Sequence, residues 1–337
     1  MIIHNAYGVD LGTSSVKIYS QNTGKTLIEK NLIAVKNTRQ VLAVGNDAFE
    51  MYEKAPDNIS VDMPVKSGRI ADVAEVEFVL HTLLRRVDKH LGYAPAIYFS
   101  APVVMSEIER RAYYAISHAG DLRNPRVYLV DRPICDAISI GVPISRTKGT
   151  MIVGLGGMNT EISVIANEQV IISKDIPIGG QQINEAIMND VRRLENLLIG
   201  RRTARRLKAV LATLEPEGRD ARKVYGMNTL TGRPREAVIS QSLVSEAVEG
   251  RIRALALEIR TFLDRTPPQI RKAVIGEGIY LTGGTARIPG LQRYLEDIIG
   301  CEVRISPYYE MCTINGLKEL IGDRTLHKWA YTIRNKK

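Results

Sequence analysis

Cysteine is scarce. The 337 residues hold Cys135, Cys301 and Cys312 alone, an odd number, far apart and without a Cys-x-x-Cys spacing, so neither a disulfide framework nor a structural zinc site is expected. The five histidines show no ligand spacing, and no Ser/His/Asp arrangement stands out. Aromatics are also few. With four Phe and one Trp, none interleaved with basic residues as a stacking platform requires, nucleic acid is the least favoured partner for a net charge of +9. That charge leaves a lipid surface or a polyphosphate open as anionic partners. No run approaches the roughly 20 apolar residues of a membrane span, and residues 1–5 enter the first strand without the regions of a signal peptide. The expectation is a cytoplasmic protein.

Glycine turns dominate what is there. Gly8-Val9-Asp10-Leu11-Gly12-Thr13-Ser14-Ser15-Val16-Lys17 predicts a strand, a glycine turn crowded with hydroxyls, and a returning strand. A second turn, Gly154-Leu155-Gly156-Gly157-Met158-Asn159-Thr160, follows another apolar strand, and a third, Gly283-Gly284-Thr285-Ala286, follows Gly278-Ile279-Tyr280-Leu281-Thr282. One such turn is weak evidence for phosphate binding; three in order are expected to converge on one nucleotide. The chain length fits about two domains.

Strand-like runs fall at 6–11, 15–20, 27–35 and 41–44, with Asn22-Thr23-Gly24 as a hairpin turn. Residues 72–91 carry Val76, Phe78, Val79, Leu83, Leu84 and Val87 at helical spacing. After a buried strand at 96–100, Ser106-Glu107-Ile108-Glu109 has the form of a capping box, predicting a helix over 107–119. Val127 to Val130 is a further strand, and Pro133 opens the next helix. The second half repeats the plan with strands at 151–153, 161–166 and 169–174, then a helix through Ile183, Ile187, Val191, Leu194 and Leu198. That repetition predicts a duplicated α/β fold. Residues 214–236 are polar and turn-rich, fitting a small exposed subdomain. Val244, Val248, Ile252, Leu255, Ile259 and Phe262 form the core stripe of a helix over 242–265, ended by Pro267-Pro268.

At the first turn, Gly12 permits positive φ and close approach of a phosphate, while the amides and hydroxyls of Thr13, Ser14 and Ser15 supply donors. Asp10 is placed either to hold a hydrated divalent cation or to stabilise the turn. Lys17 shares a strand face with Ser15, so its ammonium either reaches the same phosphates or stays solvated at an edge.

The chain resembles the MreB family of bacterial actin homologues. The resemblance runs in register along almost the whole chain, through Gly-Val-Asp-Leu-Gly-Thr at 8–13, Val44 to Ala48, Met63 to Asp72, Leu197 to Ala204, Arg265-Thr266-Pro267-Pro268 and Gly278 to Gly284. It implies an actin-like, ribonuclease-H-like duplicated fold of two lobes around a nucleotide cleft, taking ATP or ADP with Mg2+. The implied lobes are 1–146, with a small subdomain at 34–65, and 147–315, with one at 181–240; 316–337 returns to the first lobe. The nucleotide residues carried over are Thr13, Ser14 and Ser15 at the first turn and Gly157, Met158 and Asn159 at the second, with Lys17 and Gly156 as further candidates beside them. Arg205, Arg206, Leu207 and Lys208 fall on the adenosine side, and Gly283, Gly284, Thr285 and Ala286 form the last turn. Asp10 is the implied metal residue.

Three departures bear on chemistry. Gly154 stands where the family has a metal-holding aspartate, Arg132 where it has a water-positioning glutamate, and Arg205 where it has the adenosine-side glutamate. A guanidinium has no acceptor and does not deprotonate, so Arg132 cannot act as that glutamate does. Asp131 is expected to point elsewhere. Loss of general-base positioning costs on the order of 10²- to 10⁴-fold in rate, so nucleotide binding with slow or absent hydrolysis is expected. Arg132 as a fixed cation would favour phosphate binding.

The resemblance also implies membrane-associated filaments that help determine cell shape and organise wall synthesis. Expected partners are further copies of the chain or a paralogue, the inner face of the cell membrane, and cell-wall morphogenesis proteins. Two segments are candidates for membrane contact: the Leu91-Gly92-Tyr93 loop beside Lys89, and the tail from His327 with Trp329, Tyr331 and Ile333 among basic residues. The run Arg192, Arg193, Arg201, Arg202, Arg205, Arg206 and Lys208 would face water, an acidic neighbour or lipid. The alternatives are a non-polymerising nucleotide-binding adaptor of the same superfamily and a small-molecule kinase, for which no aspartate base in matching context is present.

Overall fold

The hairpin that begins the chain also seeds its first sheet. In this computed structural model, which describes residues 5–37, 40–120, 122–215 and 218–332, β1 (Ala6–Leu11) is buried along its whole length and pairs antiparallel with β2 (Ser15–Ser20). Next come β3 (Thr26–Lys30), β4 (Ile33–Lys36), β5 (Gln40–Val44), α1 (Asn46–Met51), β6 (Ile59–Asp62), β7 (Val65–Lys66) and β8 (Arg69–Ile70). They lead to α2 (Val73–Val87), β9 (Ala96–Ala101), α3 (Glu107–His118), β10 (Arg126–Asp131) and α4 (Arg132–Ile140). The first sheet has the order β10-β9-β1-β2-β3, with β9 parallel to both β1 and β10.

The second half continues with β11 (Thr150–Leu155), β12 (Thr160–Ala166), β13 (Gln169–Ile176), α5 (Gly180–Glu195), β14 (Leu197–Leu198) and α6 (Arg201–Leu211). After these lie β15 (Ala221–Asn228), β16 (Pro234–Ser240), α7 (Gln241–Arg265), α8 (Pro268–Glu277), β17 (Ile279–Thr282), α9 (Leu291–Ile299), β18 (Val303–Ile305) and α10 (Cys312–Gly322). The second sheet runs β13-β12-β11-β17-β18. Read from its far edge it has the same layout as the first, two parallel strands leading into a three-strand meander, so the duplication predicted from the glycine turns is real at the level of topology. Two compact units result, one of Met1–Thr147, Ser163–Lys174 and Glu310–Lys337 and the other of Lys148–Ile162 and Asp175–Tyr309.

Tyr7, Val9, Leu11, Ile97 and Phe99 pack one face of the first sheet against Val76, Val79, Leu80 and Leu83 of α2 and Tyr113 and Ile116 of α3. α3 begins at the expected capping box: Ser106 Oγ accepts from Glu109 N and Glu109 Oε2 accepts from Ser106 N. The opposite face is covered by α10, where a Cβ on Gly8 would lie 3.1 Å from Leu317. α10 in turn packs on α4 with almost no spacing, since a Cβ on Gly316 would lie 1.8 Å from the Cys135 carbonyl oxygen. Covering on both faces is why β1 has no polar alternation.

Several predicted boundaries move. The run 27–35 is two strands in two sheets, because the chain leaves the first sheet at Asn31, whose side-chain amide donates to the carbonyls of Thr13 and Val65. α2 stops at Val87 because Asp88 turns extended and its carboxylate accepts from Tyr7 Oη, Ser20 Oγ, Asn22 Nδ2 and the His90 amide. α5 ends at Glu195, with Asn196 left-handed; Leu198 therefore lies in β14 and is exposed. The turn-rich segment 214–236 contains β15 and part of β16, which pair with each other. Pro267-Pro268 ends α7 as expected and also starts α8.

Candidate functional site

Each unit carries one built cluster. In the first, Asp10 of β1 faces Lys17 of β2 directly across the hairpin. Lys17 Nζ donates to Asp10 Oδ2 at 2.8 Å and Ser100 Oγ of β9 donates to Asp10 Oδ1 at 2.8 Å. Asp10 and Lys17 are 4% and 5% exposed, respectively. Burial pushes the Asp10 carboxyl up, but the charges of Lys17 and Arg132 and the hydrogen bonds from Lys17 and Ser100 outweigh it and hold the group below its ordinary value. Both readings of Lys17 need correction in emphasis. It is neither a solvated edge lysine nor a free point charge; its ammonium is buried with a carboxylate.

The rest of this turn divides by exposure. Thr13 is buried, its hydroxyl accepting from Gly68 N at 2.9 Å and its carbonyl accepting from Asn31, so it braces the turn from behind. Ser14 is exposed and Ser15 half-buried. Arg132, the first residue of α4, lays its guanidinium against Gly68: a Cβ there would lie 3.0 Å from Arg132 Nη1. A cation at a helix N-terminus opposes the macrodipole, so the positive end of α4, Arg132 and Lys17 meet beside one carboxylate. Asp131 points away as expected, its Oδ1 accepting from Tyr331 Oη at 2.8 Å.

In the second unit, the β11–β12 turn closes through Gly156 N to Asn159 O at 3.0 Å, and Asn159 Nδ2 donates to Asp175 Oδ1. The first amides of α5 bond back to it, Gly180 N to Gly156 O and Gln181 N to Gly157 O. Lys208 Nζ of α6 donates to Gly180 O at 2.7 Å. Thr285 Oγ1 lies 3.5 Å from Gly156 O, so the second turn, the third turn and Lys208 meet around Gly180. Gly283 must be glycine, because its φ is +87° and a Cβ would lie 2.3 Å from Leu155 O. Burial, then the charge of Arg205, pushes the Lys208 amine down to about 8.

Two carried-over residues have buried side chains. Leu207 is turned into the core with Ala204 and Leu211, and Ala286 is 2% exposed; at those positions only backbone remains to meet a ligand. Arg205 and Arg206 are exposed on the outer face of α6. The residues missed from sequence are Ser100, Asn31 and Gly68, which reach the first turn from β9, the β3–β4 link and the β7–β8 turn and bear no local signal.

The donors at each turn suit a phosphorylated ligand: the exposed Ser14 and half-buried Ser15 in the first unit, and the Lys208 ammonium, the Thr285 hydroxyl and the glycine backbone around Gly180 in the second. A divalent cation at Asp10 fits poorly. Both carboxylate oxygens are engaged, and like unit charges 4 Å apart repel by roughly 4 kcal/mol at an effective dielectric of about 20, twice that for a divalent ion. In the repeat, Val9-Asp10-Leu11-Gly12 corresponds to Val153-Gly154-Leu155-Gly156, so the second turn has glycine where the first has its carboxylate.

The duplicated sheets and their glycine turns define an actin-like class of fold. The sequence pattern of the family described as MreB/Mbl protein matches residues 4–328, and the chain belongs to that family. It is 32% identical to the cell shape-determining protein MreB of Escherichia coli K12 over 321 residues, covering 93% of this chain and 92% of that one. It is likewise 32% identical to the cell shape-determining protein Mbl of Bacillus subtilis 168, over 89% of this chain and 90% of that one. Among solved structures, MreB5 of Spiroplasma citri bound to AMPPNP superposes with a TM-score of 0.90 at 24% identity, covering 97% of this chain and 98% of that chain. A MamK double helical filament gives 0.78 at 18% identity, over 95% and 99%. The expected actin-like fold is thereby shown.

Proposed function

We propose that this chain is a cytoskeletal protein that polymerises into filaments, binds an adenine nucleotide and helps determine cell shape by organising wall synthesis at the inner face of the cell membrane. The observation that carries this reading is family membership over nearly the whole length, with relatives named as cell shape-determining proteins. Nucleotide binding is supported by the donors in both glycine turns and by the AMPPNP- and ADP-bound states of the superposable MreB5. Phosphates are assigned to the Ser14-Ser15 turn and to Gly156 to Met158, and the remaining nucleotide contacts to Lys208 and the Gly284-Thr285 backbone. Hydrolysis is slow or lost, because Arg132 and Gly154 replace the carboxylates expected at those positions.

No helix among the described residues is long and apolar enough to cross a membrane. Of the two segments considered for peripheral contact, the tail is committed to its own unit, with Trp329 Nε1 donating to Glu168 O and Lys328 paired with Glu168; Ile333 lies outside the described residues. Leu91 packs on the core, whereas Tyr93 is 62% exposed. Tyr93 with Lys89 is therefore the contact we assign to lipid. Co-sedimentation with ATP and anionic liposomes tests the reading: pelleting with vesicles is expected, and a protein soluble and monomeric at micromolar concentration in every nucleotide state would instead be an adaptor. Phosphate release is expected near background, rising in the Gly154→Asp/Arg132→Glu variant.

A further inference from the structure

Resting on the membrane part of that reading, we propose that the outer face of the small sheet β14-β15-β16, with its hairpin tip at Leu230, is a second membrane contact, one that binds anionic lipid headgroups and sets Leu230 among the acyl chains beneath them. This sheet is apolar on both sides. Leu197, Val224 and Ile239 are buried on its inner side. The register places Leu198 opposite Met227, Met227 opposite Pro234, Tyr225 opposite Glu236 and Lys223 opposite Val238, so these residues share the other side. There Leu198, Tyr225, Met227 and Val238 are all exposed. Glu236, the carboxylate within that face, is taken up by Lys223 at 3.0 Å and by the Tyr225 hydroxyl. The tip is held so that it projects: Asn228 Oδ1 accepts from the amides of Leu230 and Thr231, and Thr229 N donates to Asn196 O, leaving Leu230 79% exposed. Scattered exposed apolar side chains are ordinary, but a cluster on one small sheet marks a contact.

Charge decides what covers it. From Leu197 to Ser240 the chain holds ten Lys and Arg against four Asp and Glu, a surplus of six out of nine for the whole protein. Arg235 of this segment donates to Glu195 O and Arg201 lies 3.7 Å from Glu185, while Arg219, Arg222 and Arg233 stand exposed beside the hairpin. The remainder of the chain is itself net positive, so a second copy brings no excess of negative charge to this face. A nucleic acid calls for stacking rings, and of these side chains Tyr225 alone is aromatic. An anionic bilayer offers headgroup charge to the arginines and an apolar layer to the leucine, methionine and valine. A single short apolar contact binds membranes only reversibly, and a basic cluster beside it is the second signal.

The test is flotation of the full-length protein, without added nucleotide, with vesicles of phosphatidylcholine or of phosphatidylglycerol. Flotation separates lipid-bound protein from filaments, which sink. Binding to phosphatidylglycerol and not to phosphatidylcholine is expected. Leu230→Ser should weaken it by about tenfold, and Arg222→Gln with Arg233→Gln by about tenfold or more, each with unchanged thermal denaturation. Leu230→Trp should float as wild type does and be quenched by brominated acyl chains beyond the level that Trp329 gives in the wild type. A wild type that floats, loses binding in Tyr93→Ser and keeps it in both hairpin variants overturns this contact and leaves the membrane reading standing. A wild type that floats with neither vesicle, whether or not it retards DNA in a gel, overturns both. Lost self-assembly with unchanged flotation in Leu230→Ser assigns the face to a second copy and overturns the lipid contact.

Discussion

Asp10 and Lys17 are direct partners across the β1–β2 hairpin and form a buried ion pair of 2.8 Å. Removing one member strands the other. Lys17→Met is expected to cost about 3–5 kcal/mol, because a buried carboxylate then loses its nearest counter-charge. Asp10→Asn with Lys17→Met should recover most of that loss, as measured by urea denaturation.

The same pair sets an acid limit. The folded Asp10 carboxyl lies below its ordinary value, so its stabilising contribution is fully present above the unfolded pKa of about 3.9 and is lost as pH falls through the lower folded value. Lys17→Met leaves the desolvated carboxyl without its nearest counter-charge, so this acid-side loss should flatten or reverse in the variant in an acid titration followed by circular dichroism.

Lys208 predicts a slope of the same sign in the alkaline range. Its folded pKa of about 8 lies below the unfolded value of about 10.4, so between those two values the unfolded chain binds more protons and stability rises with pH. Lys208→Met should flatten that rise in denaturation midpoints taken from pH 8 to about 10.

Gly316→Ala should destabilise by about 3 kcal/mol or more, since the added methyl meets the Cys135 backbone and neither helix can yield cheaply. Gly322→Ala on the same helix has open space at its Cβ and is the control, expected to be neutral or stabilising by up to about 1 kcal/mol. Denaturant titration distinguishes them.

Ser106→Ala removes the hydroxyl that accepts from Glu109 N, leaving the start of α3 with an unmet amide. The expected cost is about 1 kcal/mol, seen as a lower denaturation midpoint. Glu109 also pairs with Arg69, so Glu109→Ala should cost more.

The local elements were legible where their cause is local. The capping box at Ser106 and Glu109, the stripe from Val244 to Phe262 and the β1–β2 hairpin all stand where spacing and turn chemistry put them. Elements ended by distant contacts were not. Asp88 stops α2 because Tyr7, Ser20 and Asn22 capture its carboxylate, and Asn31 divides one apolar run into β3 and β4 because it must reach Thr13 and Val65. No periodicity encodes such partners.

For the site, sequence alone determined which chemistry is present: glycine turns rich in hydroxyls, a carboxylate and a lysine on one hairpin, and arginine and glycine where carboxylates were expected. These follow from residue type and from the two-residue period of a strand. Only the tertiary structure decided how the charges are spent. Packing brings Ser100 and Arg132 to Asp10, buries Lys17 with it, and turns Leu207 and Ala286 into the core. Burial removes the water that would otherwise screen these charges, so the same residues that promise a metal site in one dimension make an internally neutralised ion pair in three.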